Sequence, residues 1–514
     1  MERKINPWLI AVSVMFATFM EVLDTTVVNV SLPHIAGSLS ASIDEATWAL
    51  TSYLVANAIV LPMTGWLASV MGRKRLLMFS VVGFTAASFL CGLAPTLWSL
   101  IVFRVIQGAT GGALQPLSQA VLLEAFPPHE RGKAMGFWAL GIVVAPILGP
   151  VLGGWLTDSY SWRWVFYINI PVGIASIVMT KLFIFDPPYL RRELQKVDYW
   201  GIGMLVVGIG ALQILLDKGQ QEDWFSSTFI IACAVTSAVT LVALVIHELT
   251  TAHPIVDLRV FKERSYAVGV FLMSVVGFVL YGSLVLLPIM LQTLLGYPSL
   301  QAGIAMAPRG IGSFVMMPIT GIMTGKFDAR KLLTLGLIVG GSTLIWLSRV
   351  NLQAGYWDFF WPQLIQGAGL SLLFVPLTTV AMDAIPRERM GNATSLFNLM
   401  RNIGGSIGIA VTGTMVARHQ QANIAIMGSH VTAMDPETQT MFAQLRAGFM
   451  AAGADVVTAT NRAYGALFGM VQQQAAIVSF VGLFELLGII FFALLPLVLL
   501  MKRPRTGAGP MAAH

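Results

Sequence analysis

Charge is scarce in this chain: 11% of its 514 residues are Asp, Glu, Lys or Arg, against 56% hydrophobic ones, and the mean hydropathy is +0.76. A globular core cannot hide that much apolar surface, so a soluble domain is excluded and lipid must serve as solvent. Cysteine is nearly absent as well. Cys91 and Cys233 both fall inside apolar runs, which excludes a disulfide framework and a zinc site. No GxxxxGK[ST] stretch occurs, so ATP is not the expected energy source, and His34, His129, His247, His253 and His419 show no metal-ligand spacing. A short signal-peptide core is missing too. The first apolar run, Trp8 to Leu32, is far longer than the ~7 to 15 residues of such a core and reads as an uncleaved first span.

Apolar runs of about 20 residues, enough at ~1.5 Å each to cross a ~30 Å hydrocarbon layer, begin near Trp8, Thr47, Leu76, Leu100, Ala134, Trp164, Tyr199, Thr228, Ser265, Leu300, Leu332, Trp357, Asn392 and Ala476. An all-α polytopic membrane protein of fourteen helices is expected. With the N-terminus taken as cytoplasmic, 22 Lys and Arg fall in inside segments and 6 in outside ones, so both termini are placed in the cytoplasm. The net charge of +6 then needs no nucleic-acid partner.

An internal repeat divides the chain. The stretch from Arg104, RVIQGATGGALQPLSQAVLLEAFPPHERGKA, recurs 259 residues on as QLIQGAGLSLLFVPLTTVAMDAIPRERMGNA, and GWLASVMGRKRLL from Gly65 recurs as GIMTGKFDARKLL from Gly321. Two related six-helix halves are expected, residues 1–184 and 263–500, around an inserted linker pair at 185–262, with a cytoplasmic tail at 501–514. Pseudo-symmetric halves of this kind rock about a midplane site in secondary transporters.

Four stretches resemble the motifs of the major facilitator superfamily: LDTTVVNVSLP from Leu23, GWLASVMGRKR from Gly65, RVIQG from Arg104 and APILGPVLGG from Ala145. With fourteen spans, the first and last are similar to its drug:proton antiporter branch of the EmrB/QacA type, and the resemblance covers nearly the whole chain. It implies a proton-coupled exporter of hydrophobic small molecules in the inner membrane, with the proton as coupling ion and no cofactor. The long outside segment at 417–474 resembles the EmrB subgroup, which implies an EmrA-like periplasmic adaptor and a TolC-like outer-membrane channel. Export of one physiological lipid or metabolite, and a non-transporting receptor, are the alternatives. A membrane enzyme would need a catalytic constellation, and none is visible.

The residues suggest how such a carrier could work. Asp24 and Arg104 are charges within apolar runs, where insertion costs at least ~2.5 to 3.5 kcal/mol, so both are functional candidates. Asp24 is expected about eight residues below the outer end of its span and Arg104 at about half that depth, so the two could meet. Burial favours a protonated carboxyl and a guanidinium favours an ionised one, so relative motion could load and unload a proton on Asp24. Glu21 shares its helix face. A permanent ion pair that only orients helices is the plainer reading.

The second half has Gln363 where the repeat places Arg104. It contributes Arg309 and Arg401 near mid-span and Glu485 as its one acid well inside a helix. Together with Gln107 these are assigned to the substrate cavity, whose surplus positive charge would favour neutral or weakly acidic amphiphiles. Either arginine could instead bond helix-end carbonyls or Glu485. In the fifth span Pro146 and Pro150 remove backbone donors, while Gly149, Gly153 and Gly154 allow close helix approach. The resemblance makes this the antiporter motif, a seal between the halves. Gly65, Gly72 and Arg73 belong to a loop of the family pattern, but Ser69 stands where an acid is usual, which puts its acid-to-basic latch in doubt. Membrane-headgroup anchoring would equally suit Arg73, Lys74 and Arg75. Beyond Asp435-Pro436, the stripe Phe442, Leu445 and Phe449 recurs at helical spacing as a partner-docking candidate, with self-packing as the alternative.

Overall fold

The computed structural model describes residues 6–186, 197–251 and 254–501, and within them all long elements are helices. Basic residues Arg3, Lys4, Arg191, Arg192, Lys196, Lys502, Arg503 and Arg505, His253, and the 502–514 part of the tail lie outside the described residues. In chain order the helices are α1 Pro7–Ser38, α2 Ile43–Met71, α3 Arg73–Leu93, α4 Leu97–Ala125, α5 Arg131–Ser159, α6 Trp164–Phe183, α7 Tyr199–Lys218 and α8 Thr228–Thr250. They continue as α9 Arg264–Leu294, α10 Ser299–Thr324, α11 Ala329–Leu347, α12 Tyr356–Asp383, α13 Met390–His430, α14 Pro436–Ala451 and α15 Val456–Val498.

Twelve of these, α1 to α4, α6 to α12 and α15, are long and apolar enough to cross a membrane, and α5 adds a thirteenth as a pair of segments bent by 41° around Pro146. α13 misses that standard of apolarity because its buried face carries Thr394, Ser395, Asn398 and Arg401 among glycines. It nevertheless packs along α9 as α5 packs along α1, and so takes the fourteenth place in the bundle.

The helices sort into two bundles, α1 to α6 and α9 to α13 with α15, which meet where α5 packs on α10 and α2 on α13. The repeat is visible at single contacts. A Cβ on Gly108 would come within 2.3 Å of the Tyr53 carbonyl oxygen, and one on Gly367 within 1.9 Å of that of Arg309. Arg309 therefore holds in the second bundle the place of Tyr53 in the first. The inserted α7 and α8 pack on each other, and α7 touches both bundles: Thr51 of α2 donates to Asp217, and Gln213 Nε2 donates to Ser406 Oγ of α13 at 3.1 Å.

Asn6, which caps α1 by accepting the Trp8 amide at 3.0 Å, and Met501, whose carbonyl accepts from Arg330, mark one face of the molecule, the terminal face. The opposite face carries a projection. At ~1.5 Å per residue the 41 residues of α13 run ~60 Å, about twice a hydrocarbon layer, and α15 is of similar length. Asn423 Nδ2 donates to Ser479 Oγ at 3.0 Å between them, and α14 folds back on α15 with Phe442 and Tyr464 rings 4.5 Å apart. The outside segment is thus a helical hairpin continuous with two membrane helices, and its side is called the hairpin face below.

Candidate functional site

The Asp24 carboxylate is the centre of a polar cluster sealed inside the first bundle. Arg104 Nη1 donates to Asp24 Oδ2 at 2.5 Å, while Gln107 Nε2 and Asn169 Nδ2 donate to Oδ1 at 2.9 and 2.7 Å. All four side chains have zero exposure, so water does not compete for these bonds. The guanidinium is itself fixed from three sides. Its Nε donates to the Ala49 carbonyl at 3.0 Å, its Nη1 also donates to Gln107 Oε1 at 2.9 Å, and its plane lies 4.1 Å from the Tyr53 ring centroid. Asn169 is held in turn by Ser88 Oγ at 3.0 Å. Three helices, α1, α4 and α6, meet at this carboxylate, and α2 and α3 hold its partners Arg104 and Asn169.

Glu21 lies one turn toward the terminal face. It is 5% exposed, and its Oε1 accepts Asn57 Nδ2 at 2.9 Å, while Oε2 has no hydrogen-bond partner. Facing it from α4 is Gln115, whose Oε1 accepts Arg401 Nη2 of α13. A second bond between the bundles sits beside it, Asn398 Nδ2 to Gln119 Oε1 at 2.6 Å. On the same side Gly65 abuts the Asn392 backbone, a Cβ there falling 2.7 Å from its Cα, and Gly136 abuts the Met317 carbonyl at 2.7 Å. The terminal face is closed by these contacts.

Several sequence expectations are corrected. The first helix runs to Ser38 rather than Leu32, so Asp24 stands fourteen residues, ~21 Å, from its end instead of eight. Gln107 belongs to the Asp24 cluster and not to a cavity wall, because it points from α4 into the first bundle. Glu485 is exposed, and since Gly488 packs on Ile345 it lies close to the hairpin-face end of α11, too far out to pair with Arg309 or Arg401. Arg309 is buried with Ser283 Oγ at 3.4 Å, and no carboxylate stands within ion-pair distance of it among the described residues.

On α5, Gly149 and Gly153 abut Thr26 and Val27 of α1, so this stretch seals α1 to α5 within the first bundle. Contact with the second bundle falls instead to Gly132 and Gly136. Gly154 is loosely packed near Val30, Pro146 is half-buried at the bend, and the Pro150 side chain lies outside the described residues. Gly72 has φ 85°, which a side chain would strain, and it turns the chain into α3. There Arg73 is buried in an ion pair with Glu124 at the end of α4, while Ser69 only bonds its own helix. The stripe Phe442, Leu445 and Phe449 is half-buried against α15, so self-packing of the hairpin accounts for it.

Asn57, Gln115, Gln119, Asn169 and Asn398 were not anticipated. For Asn169 the signal is a lone amide within an otherwise apolar run, FYINIPVGIA, while Gln115 and Gln119 lie one helical turn apart and Asn398 lies three residues before Arg401.

The sequence matches the model of the Major Facilitator Superfamily over residues 14–409. It is 40% identical over 510 residues to the multidrug export protein EmrB of Escherichia coli (strain K12), covering 98% of each chain. It is 38% identical over 505 residues to the fatty acid resistance protein FarB of Neisseria gonorrhoeae, covering 97% of each. The fold is similar to that of the human organic anion transporter MFSD10, with a TM-score of 0.60 at 12% identity over 95% of this chain and 100% of that one. The chain belongs to the Major Facilitator Superfamily and is a multi-pass membrane transporter.

Proposed function

We propose that the chain is a proton-coupled antiporter that exports hydrophobic and amphiphilic compounds, with its terminal face in the cytoplasm and its hairpin face outside the inner membrane. The observation that carries this reading is the Asp24 carboxylate, held in a water-free cluster by Arg104, Gln107 and Asn169. Ionised, it is stabilised by three donors. A shift of Arg104 by one contact would take away the counter-charge and leave the carboxylate with the two amide donors, Gln107 and Asn169. Each proton moving inward supplies ~2.3 kcal/mol per 100 mV of membrane potential, which can drive export against a gradient.

The names of the relatives, a multidrug exporter and a fatty acid resistance protein, support lipophilic cargo. Arg309, a buried cation with no carboxylate partner among the described residues, favours cargo that is neutral or anionic. A dedicated exporter of one anionic lipid is the second reading, and the same arginine favours it. An adaptor and an outer-membrane channel would meet the hairpin, which reaches well beyond a bilayer's thickness.

The test uses full-length protein in liposomes carrying an imposed pH gradient. Added substrate should discharge the gradient with wild type and not with Asp24→Asn. An anionic uncoupler should be carried in preference to a lipophilic dication. Discharge by Asp24→Asn at the wild-type rate would overturn the proton assignment.

A further inference from the structure

Two charges of opposite sign stand on either side of the seam between the bundles without touching. Glu21 belongs to the first bundle and Arg401 to the second. Arg401 is carried rigidly by that second bundle, because α13 is pressed to α9 so closely that a Cβ on Gly277 would lie 2.5 Å from the Arg401 carbonyl oxygen. Both side chains are more than nine-tenths buried. Each has an unused polar atom, Oε2 of Glu21 and Nε of Arg401. Between them stands Gln115, which accepts from Arg401 and turns its amide toward Glu21. The other charged or titratable groups facing Glu21 are Asp24 on its own helix and Tyr53 on α2, with Arg104 beyond them neutralising Asp24. Arg401 is thus the one cation that the second bundle turns toward Glu21, among the described residues.

We infer that Arg401 reads the charge on Glu21 across the seam, holding the terminal face shut while Glu21 is ionised and releasing it when Glu21 takes up a proton. The inference rests on the proton-coupled antiport proposed above and names the contact by which protonation in one bundle moves the other. Its geometry gives the correct direction. With the terminal face closed by these contacts, the scheme takes the proton from the hairpin face, which is the outside in the antiport proposed above. Neutralising Glu21 removes the attraction that reaches Arg401 through Gln115, leaving only the hydrogen bonds of Arg401 to Gln115 and of Asn398 to Gln119 beside it. The bundles can then part at the terminal face, where the proton leaves and substrate enters. Arg401 is a positioning residue in this scheme and need not touch the proton or the cargo.

Spin labels at His129 and Phe327, both exposed on the terminal face on opposite sides of the seam, report its opening in full-length protein in liposomes. In wild type the long-distance population should grow on moving from mildly alkaline to mildly acidic pH. Arg401→Gln should populate the open form at both pH values and lose the response, and Glu21→Gln should do the same. The double variant should add nothing to either single one. Arg401→Lys keeps the charge and should retain the response, which separates loss of the signal from loss of fold. A wild-type pH response in Arg401→Gln would overturn the inference. If that variant also keeps substrate-driven proton exchange, antiport stands and only the role of Arg401 falls; if wild type shows no such exchange, antiport itself falls.

Discussion

At the scale of single residues, the account turns on why Arg104 could not be another cation. Its guanidinium uses Nε on the Ala49 carbonyl and one Nη on both Asp24 and Gln107 while stacking on Tyr53. A lysine ammonium offers a point charge without that planar fork. Arg104→Lys should therefore insert and fold but lose at least about tenfold in transport rate, which a difference of only ~1.4 kcal/mol would produce. Arg104→Leu should be worse, because it strands a buried carboxylate at a cost of ~3 to 5 kcal/mol. Thermal stability and vesicle uptake measured on both variants check this; uptake by Arg104→Lys at the wild-type rate would contradict it. Asp24, Glu21 and Arg104 were legible in the sequence because charge in lipid is expensive and so stands out. Asn57 and Asn169 were not, since an amide costs far less in a membrane helix and sequence position does not show which way it points. The same limit explains Gln107. Helical spacing put it near Arg104 but could not say that both turn into the first bundle rather than the seam.

At the scale of elements, the hairpin formed by the ends of α13 and α15 with α14 is the part that departs most from a bare carrier. Its helices are capped from outside the membrane. The Thr438 hydroxyl and amide hold the Asp435 carboxyl below its ordinary range, and Thr458 does the same for Asp455. A lowered folded-state pKa means that these caps contribute at neutral and mildly acidic pH and are lost only as pH falls through the lowered value. The projection therefore persists in the moderately acidic medium that an inward proton gradient implies. Because Asn423 meets Ser479, residues 427–475 can be replaced by a short glycine-serine turn without pulling the membrane helices. That variant should insert and transport in vesicles while cells lose resistance to exported compounds; unaltered resistance would count against docking of an adaptor there. The sequence marked this segment as polar and found the start of α14 from Asp435-Pro436. It could not show that α13 and α15 continue unbroken into it, because helix continuity across a membrane boundary leaves no change of period. Glu485 was misplaced for the same reason, its depth being set by where α15 leaves the bilayer.

At the scale of the whole molecule, two bundles related by an internal repeat carry different residues at matched places. The repeat was readable as Gln107-Gly108 against Gln366-Gly367, and the structure registers it at the matched glycine contacts on Tyr53 and Arg309. What occupies the matched places differs. The first bundle holds an acid and a base in contact, and the second holds Arg309, which has no carboxylate partner among the described residues, and a Gln363–Gln366 pair. The proposed function puts proton handling and cargo charge preference on opposite sides of one seam, which Gln115 and Arg401 bridge. The seal attributed to the prolines and glycines of α5 shows how far a motif reads: its close packing was legible, but its partner proved to be α1, because a sequence pattern names small residues and not the helix they meet. The account as a whole requires that substrate binding displace a proton from Asp24. Proton release on adding substrate to purified protein in weakly buffered detergent measures this directly. Wild type should release protons over the pH range in which substrate competes with them, and Asp24→Asn should release clearly fewer while still binding substrate. Equal release from both proteins would contradict the account.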